Sequence, residues 1–367
     1  MRWIRVSFFV WLVTALAVGA SLSCRAEARK PRHVVLAVGT SVLNAGYPMV
    51  TLPLSLGYWT EEGYDVDVQP VGSSLQAIQL LVAGNADFVQ ANASAIIQSA
   101  VTNKIPVRVV MANGVTDWSI AVPVDSKIRT IADLNGRTVG VFSVASAGVS
   151  LLQHSLKQQG MTAESAQISF LPLGLGAPPV QAVRRGQVDA LIYWAAGTAS
   201  FRNAGLELRE IVPPEWRTYP DYSLGTLQRT VSSDPDMVVA IARGVAKATV
   251  YALANPECAV RLHWRRFPDT KPSGVNDETA MRMDLNTINA QLTTLADGFK
   301  LNGGRQWGAT DSAGLARLQD FLNEAGIIKG SLPADSYLTA IPNFYDRVND
   351  FDADKIRAAA RTCEVAQ

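Results

Sequence analysis

Small hydroxyl and amide residues gather at four places where an apolar run ends. Gly39-Thr40-Ser41 follows His33–Val38, Gly72-Ser73-Ser74 follows Tyr64–Val68, Gln90 and Asn92 close Ala86–Gln90, and Ser143–Gly148 follows Arg137–Phe142. Small residues just before a helix let a ligand approach free backbone N–H groups, and side-chain amides both donate and accept. Tyr47, Trp118, Tyr193 and Trp194 stand at comparable positions and could stack on a ring or simply pack inside. The candidate ligand contacts are Thr40, Ser41, Tyr47, Ser73, Ser74, Gln90, Asn92, Trp118, Ser143, Ser146, Ala147, Tyr193 and Trp194. Turn chemistry is the alternative for Thr40 and Ser41, where the matching place of the counterpart loop favours ligand contact, and helix capping is the alternative for Ser73 and Asn92. None of these residues is Lys or Arg; Arg184 and Arg185 fall late in a helix, where a solvated face suits them. A small polar organic solute with an aromatic or heteroaromatic ring, or a monocarboxylate, therefore fits better than a dianion.

Catalytic chemistry finds little support. Only His33, His154 and His263 occur, and neither a G-x-S-x-G nor an H-E-x-x-H motif is present. With three cysteines and no Cys/His cluster, no metal and no cofactor are expected.

The elements that must position these residues alternate. Short apolar strands and helical periods succeed one another from Arg32, which argues a parallel α/β architecture. Helices are expected over Tyr47–Leu56, from Gly72-Ser73-Ser74 to Gly84, over Val149–Gln159, and from about Pro179 to Gly186. Strands are expected over Gln167–Leu171 and Val188–Tyr193 as well. The order strand, loop, helix, strand, helix, strand occurs twice, about a hundred residues apart. Gln79…Gly84-Asn85-Ala86-Asp87 and Gln181…Gly186-Gln187-Val188-Asp189 occupy matching places, as in an internal duplication. After Leu224 the pattern is largely helical, with periods near 233–254, 257–266, 278–295, 312–325 and 353–362.

The chain has 367 residues, 48% hydrophobic, with 33 Lys+Arg against 32 Asp+Glu. That length suits about two domains, and balanced charge argues against a nucleic-acid partner. Arg2 and Arg5, the apolar stretch Val6–Ala20 and Ala26-Glu27-Ala28 have the layout of a cleaved signal peptide, residues 1–28. Lipidation at Cys24 is the alternative, although Leu is missing three places before it. Export leaves Cys258 and Cys363 as a pair in an oxidising compartment, where a structural disulfide is expected.

Several blocks resemble periplasmic solute-binding proteins of ABC importers, in the branch that takes sulfonates, taurine, nitrate and thiamine pyrimidines. They are Gly84–Asp87, Val124–Ile128 running into Ile131–Arg137, Gly186–Ala190 and Asn255-Pro256-Glu257. The resemblance implies a type II periplasmic-binding-protein clamshell: two α/β lobes joined by two crossover segments, with extra C-terminal helices. Lobe 1 would comprise 29–120 plus 223–367 and lobe 2 would comprise 121–222, with a ligand between them. It also implies a monomer in the periplasm that delivers a small molecule to an ABC permease. Ser143–Gly148 matches the family's Ser-rich anion loop but lacks the Gly-Ser pair frequent in sulfonate binders, which speaks against a sulfonate. Two other functions share this fold: a thiamine-pyrimidine synthase-like enzyme and a sensory binding protein outside transport.

Overall fold

A computed structural model of the protein describes residues 30–144 and 146–363. The expected signal segment 1–28 and Cys24 lie outside the described residues.

Ten strands build two five-stranded sheets. They are β1 (Arg32–Val38), β2 (Tyr64–Pro70), β3 (Phe88–Ala91), β4 (Val107–Val115), β5 (Trp118–Pro123), β6 (Thr138–Val141), β7 (Ser169–Pro172), β8 (Ala190–Trp194), β9 (Leu208–Ile211) and β10 (Pro220–Leu227). The first sheet runs β2-β1-β3-β10-β4 and the second β7-β6-β8-β5-β9. In each, the first three strands are parallel and the fourth is antiparallel to both neighbours. That fourth strand is the one that has just arrived from the other sheet. The chain leaves the first sheet after Val115 and enters the second at Trp118, then leaves β9 at Ile211 and returns at Pro220. The proposed lobe limits, 120/121 and 222/223, fall a few residues downstream of these changes of sheet.

The matched Gly…Asp signatures do the same work twice. Gly84 and Gly186 end their helices in the left-handed region, at φ 78° and 64°, where a Cβ would be strained. Three residues on, Asp87 Oδ2 accepts from Val35 N at 2.9 Å, and Asp189 Oδ2 accepts from Thr138 N at 2.9 Å. Each carboxylate thereby fixes the third strand of its unit against the first.

Helix boundaries follow the sequence closely. The helices Ser74–Ala83, Ala147–Gln158, Ala177–Arg184, Pro235–Ala254, Pro256–Arg266, Asp277–Leu301, Ser312–Glu324 and Ala353–Thr362 all overlap the expected periods. The expected helix Tyr47–Leu56 is Pro48–Ser55 with Tyr47 and Leu56 as its caps; Gly57 then turns left-handed at φ 71° and a short helix, Tyr58–Glu61, follows. Two more helices, Ala93–Asn103 and Ala195–Asn203, follow β3 and β8. Pro235–Ala254 has the length and apolarity of a membrane span, but it runs through the core, with Val238, Ile241, Ala242, Val245 and Ala246 fully buried.

Two C-terminal helices touch both sheets' surroundings. Asp277–Leu301 packs Gly298 on Gly114 of β4, and its Met283 carbonyl accepts from Asn203 Nδ2 at 3.0 Å. Ser312–Glu324 sends Phe321 edge-on to His154 of helix Ala147–Gln158, centroids 5.3 Å apart. Cys258 is bonded to Cys363, with Cα atoms 5.6 Å apart, and this ties the last described helix to the core.

Candidate functional site

The C-terminal ends of the parallel strands are where open α/β sheets bind ligands. Both sheets bring theirs to the crossovers. Asp117, between β4 and β5, accepts at Oδ2 from Ala195 N at 3.3 Å, at the start of the helix that follows β8. Asp221, at the start of β10, accepts at Oδ1 from Ala93 N at 3.2 Å, at the start of the helix that follows β3. Tyr222 joins the two crossovers, donating its hydroxyl to Asp117 Oδ2 at 2.9 Å. It holds φ at 50°, a left-handed conformation costly for a bulky residue, and such strain clusters at functional sites.

Aromatic residues form one wall. Trp194 meets Trp118 and Phe142 edge-on, with centroids 5.6 Å away in each case. Phe142, Val144 and Leu175 in the second sheet's loops, with Val42 in a loop of the first and Leu75 in the first turn of helix Ser74–Ala83, are each more than two-fifths exposed. A Cβ on Gly148 would lie 2.3 Å from both the Trp118 ring and Ile192. Gly148→Ala should therefore push Trp118 off Trp194, cost about 1–3 kcal/mol as overpacking does, and alter near-ultraviolet circular dichroism. An unchanged spectrum and denaturation midpoint would refute the contact.

The hydroxyl candidates are mostly engaged within the protein. Thr40 Oγ1 donates to Val42 O at 3.1 Å, and Ser41 is exposed. Ser73 caps its helix, accepting from Gln76 N at 3.2 Å. Ser74 Oγ accepts from Asn92 N at 3.0 Å and donates to Asn92 Oδ1 at 2.9 Å, so it staples two loops together. Asn92 Nδ2 in turn donates to Asp221 Oδ1 at 3.0 Å. Ser146 is nearly buried and donates to Ser143 O at 2.8 Å, while Ala147 opens the next helix exposed. Gln90 is buried and accepts from Asn113 Nδ2 at 3.2 Å. Tyr47 is half-buried, and burial raises its hydroxyl pKa against a lowering hydrogen bond with Thr40.

One candidate is corrected. Tyr193 has no exposure; it packs on Phe201 and donates to Gly174 O at 2.6 Å. Adjacent strand residues point to opposite faces, so Tyr193 turns into the core while Trp194 turns to the wall.

Sequence reasoning passed over Asp117, Asp221, Tyr222, Asn113 and Phe142. A signal existed in the acid–aromatic pairs Asp117-Trp118 and Asp221-Tyr222, one at each crossover. Burial is the first cause that raises both carboxylates' pKa values; for Asp117 the nearby Asp221 adds repulsion, and the value reaches about 6. Arg217, Tyr222 and the Ala195 amide pull Asp117 back down. The sign follows from proton uptake. Between pH 4 and 6 the folded Asp117 holds a proton that the unfolded chain has released, so stability falls as pH rises through that window. Asp117→Asn should flatten this part of the stability profile, read as denaturation midpoints from pH 4 to 7. A parallel profile in the variant would refute the assignment.

The histidines do not converge. His33 is exposed beside Asp65, His154 lies on Phe321, and His263 is buried with Nε2 2.8 Å from Thr270 Oγ1. Burial lowers the His263 pKa to about 4. Among the described residues, no group of three or more His, Cys, Asp or Glu could hold a metal ion. Two concavities, of about 410 and 590 Å³, are lined by none of the candidate residues.

The NMT1/THI5-like family model matches residues 50–259, more than half of the chain. The chain belongs to the NMT1/THI5-like family. No curated protein sequence matches it. Solved structures share the fold of this NMT1/THI5-like chain at low identity. The periplasmic aliphatic sulphonate binding protein SsuA from Escherichia coli is 14% identical at a TM-score of 0.60, covering 84% of this chain and 92% of its own. The alkanesulfonate-binding protein SsuA from Xanthomonas axonopodis, bound to MOPS, is 16% identical at 0.55, covering 84% and 98%. A cysteine-to-serine mutant of the desulfurization enzyme DszB in complex with biphenyl-2-sulfinic acid is 16% identical at 0.58, covering 87% and 99%. With these neighbours, the two mixed sheets and their flanking helices make a two-lobe type II clamshell.

Proposed function

We propose that this NMT1/THI5-like chain is an extracytoplasmic solute-binding protein of an ABC importer. It captures a small ring-bearing organic solute between its two sheets and passes it to a membrane permease. The observation that carries this reading is the Trp118–Trp194–Phe142 wall where the second sheet's parallel strands end, with Phe142 itself two-fifths exposed. The proposed lobes, 29–120 plus 223–367 and 121–222, would close on the solute by hinge motion. A cleaved signal at residues 1–28 would place the monomeric product in the periplasm. The fold shared with sulfonate-binding proteins supports this reading, and the separated histidines give an enzyme reading less to work with.

The test is a thermal-shift screen of the chain from Arg29 against sulfonates, carboxylates, pyrimidines and nitrate. A true solute at 100 times its dissociation constant should stabilise the protein by about 2.7 kcal/mol. It should also shift tryptophan fluorescence, with a smaller shift in Trp194→Phe. Turnover of the bound compound into a product would overturn the binding-protein reading.

A further inference from the structure

The donors that an anion would seek at the crossover end of the cleft are already spent on the protein's own carboxylates. Ala93 N and Asn92 Nδ2 both donate to Asp221, and Ala195 N donates to Asp117. Asn92 N goes to Ser74 Oγ. Arg217, a cation that acts on Asp117, gives its Nη1 hydrogens to the carbonyl oxygens of Thr116 and Trp118. Asp117 is 3% exposed and Asp221 7%, so solvent screens them little. The helices Ala93–Asn103 and Ala195–Asn203 would otherwise present the positive ends of their backbone dipoles here; each instead begins on a resident negative charge.

A second observation points the same way. Asn113 and Gln90 are both more than nine-tenths buried, and their shared hydrogen bond leaves Asn113 Oδ1 and Gln90 Nε2 without a partner among the described residues. One unpaired acceptor and one unpaired neutral donor suit a solute that brings both kinds of group, as an uncharged polar ring does, and add no positive charge to balance an anion.

We propose that Asp117 and Asp221 are specificity residues that exclude anionic solutes, so that the cleft takes a neutral or positively charged ring compound. This rests on reading the cleft as the solute site. Counting Arg217, the three groups leave one net negative charge when both carboxylates are ionised. Like-charge juxtaposition in a poorly hydrated site costs enough to discriminate by about tenfold or more.

The test separates cleft charge from solute binding. At pH 8, the Trp194 contribution to fluorescence is taken as wild type minus Trp194→Phe, then quenched with iodide and with neutral acrylamide. Iodide should quench it less effectively than acrylamide. Asp117→Asn and Asp221→Asn, each isosteric, should raise iodide quenching and leave acrylamide quenching unchanged. Equal iodide quenching in wild type and in both variants overturns the proposal.

Benzoate, benzamide and benzamidinium, nearly identical in shape, are then titrated. Benzamide or benzamidinium should bind wild type at least about tenfold more tightly than benzoate, and the gap should narrow in the variants. Benzoate binding as tightly as benzamide overturns the proposal too. Iodide exclusion that disappears in the variants, without response to any of the three compounds, supports anion exclusion and counts against the ring-solute reading alone.

Discussion

Replacing Cys363 by Ser should lower the unfolding free energy by about 2–5 kcal/mol, the range found on removing a native disulfide. The bond joins residues 105 apart in sequence. Reduction would release a long loop in the unfolded ensemble, and the chain-entropy account of cross-linking gives roughly 4–5 kcal/mol for a loop of that size. The bond also holds helix Ala353–Thr362 by its last turn. Ile356 and Ala360 of that helix join the core cluster built on Pro235–Ala254, and Asn255 Nδ2 donates to Ala360 O at 2.9 Å. Chemical denaturation of oxidised wild type, reduced wild type and Cys363→Ser supplies the measurement. The last two should match each other and fall below the first. Equal midpoints for all three would show that the bond contributes nothing, and two titratable thiols in the denatured, unreduced exported protein would refute the pairing itself.

Asp221→Ala should destabilise the protein by about 2–4 kcal/mol. The carboxylate accepts from Asn92 Nδ2, Ala93 N and Tyr222 N, the last at 2.9 Å, and its loss orphans all three donors near a buried crossover. Each buried unsatisfied donor costs about 1–3 kcal/mol; relief of repulsion with Asp117 offsets part of the total. The same substitution removes one cause of Asp117's raised pKa, so that group should titrate closer to the ordinary carboxylate range. Denaturation curves with a carbon-13 pH titration of Asp117 read both effects. A stable variant with an unshifted Asp117 would remove the coupling between the two crossovers.

Some of this was legible residue by residue. The duplicated units were readable because the Gly…Asp signature is local: a left-handed cap and a carboxylate that bonds the neighbouring strand's amide need only a few consecutive residues. The capping residues Ser73, Asp234 and Asn255 announce their helices for the same reason, each accepting from an amide three positions on. Cys258 and Cys363 could be paired by elimination once the chain was read as exported.

The cleft was harder. Thr40, Ser74, Asn92 and Ser146 are residue types that could hold a ligand, yet their hydrogen bonds run to one another and to backbone. Neither composition nor spacing reveals how much hydrogen-bonding capacity a loop keeps for itself. Tyr193 and Trp194 looked alike as neighbours at a strand end, and only the sheet's alternation assigned one to the core and the other to the wall.

By itself the sequence determined the strand and helix order, the doubled α/β unit and the loops that would carry a site, because each depends on short-range periodicity and turn chemistry. Only the tertiary structure decided that Asp117 and Asp221, 104 positions apart in sequence, would be buried together. Their proximity arises because the chain changes sheets just before β5 and again just before β10, and no local pattern encodes a meeting of two crossovers. Burial raises each carboxylate's pKa, and for Asp117 the repulsion from Asp221 comes only from that meeting.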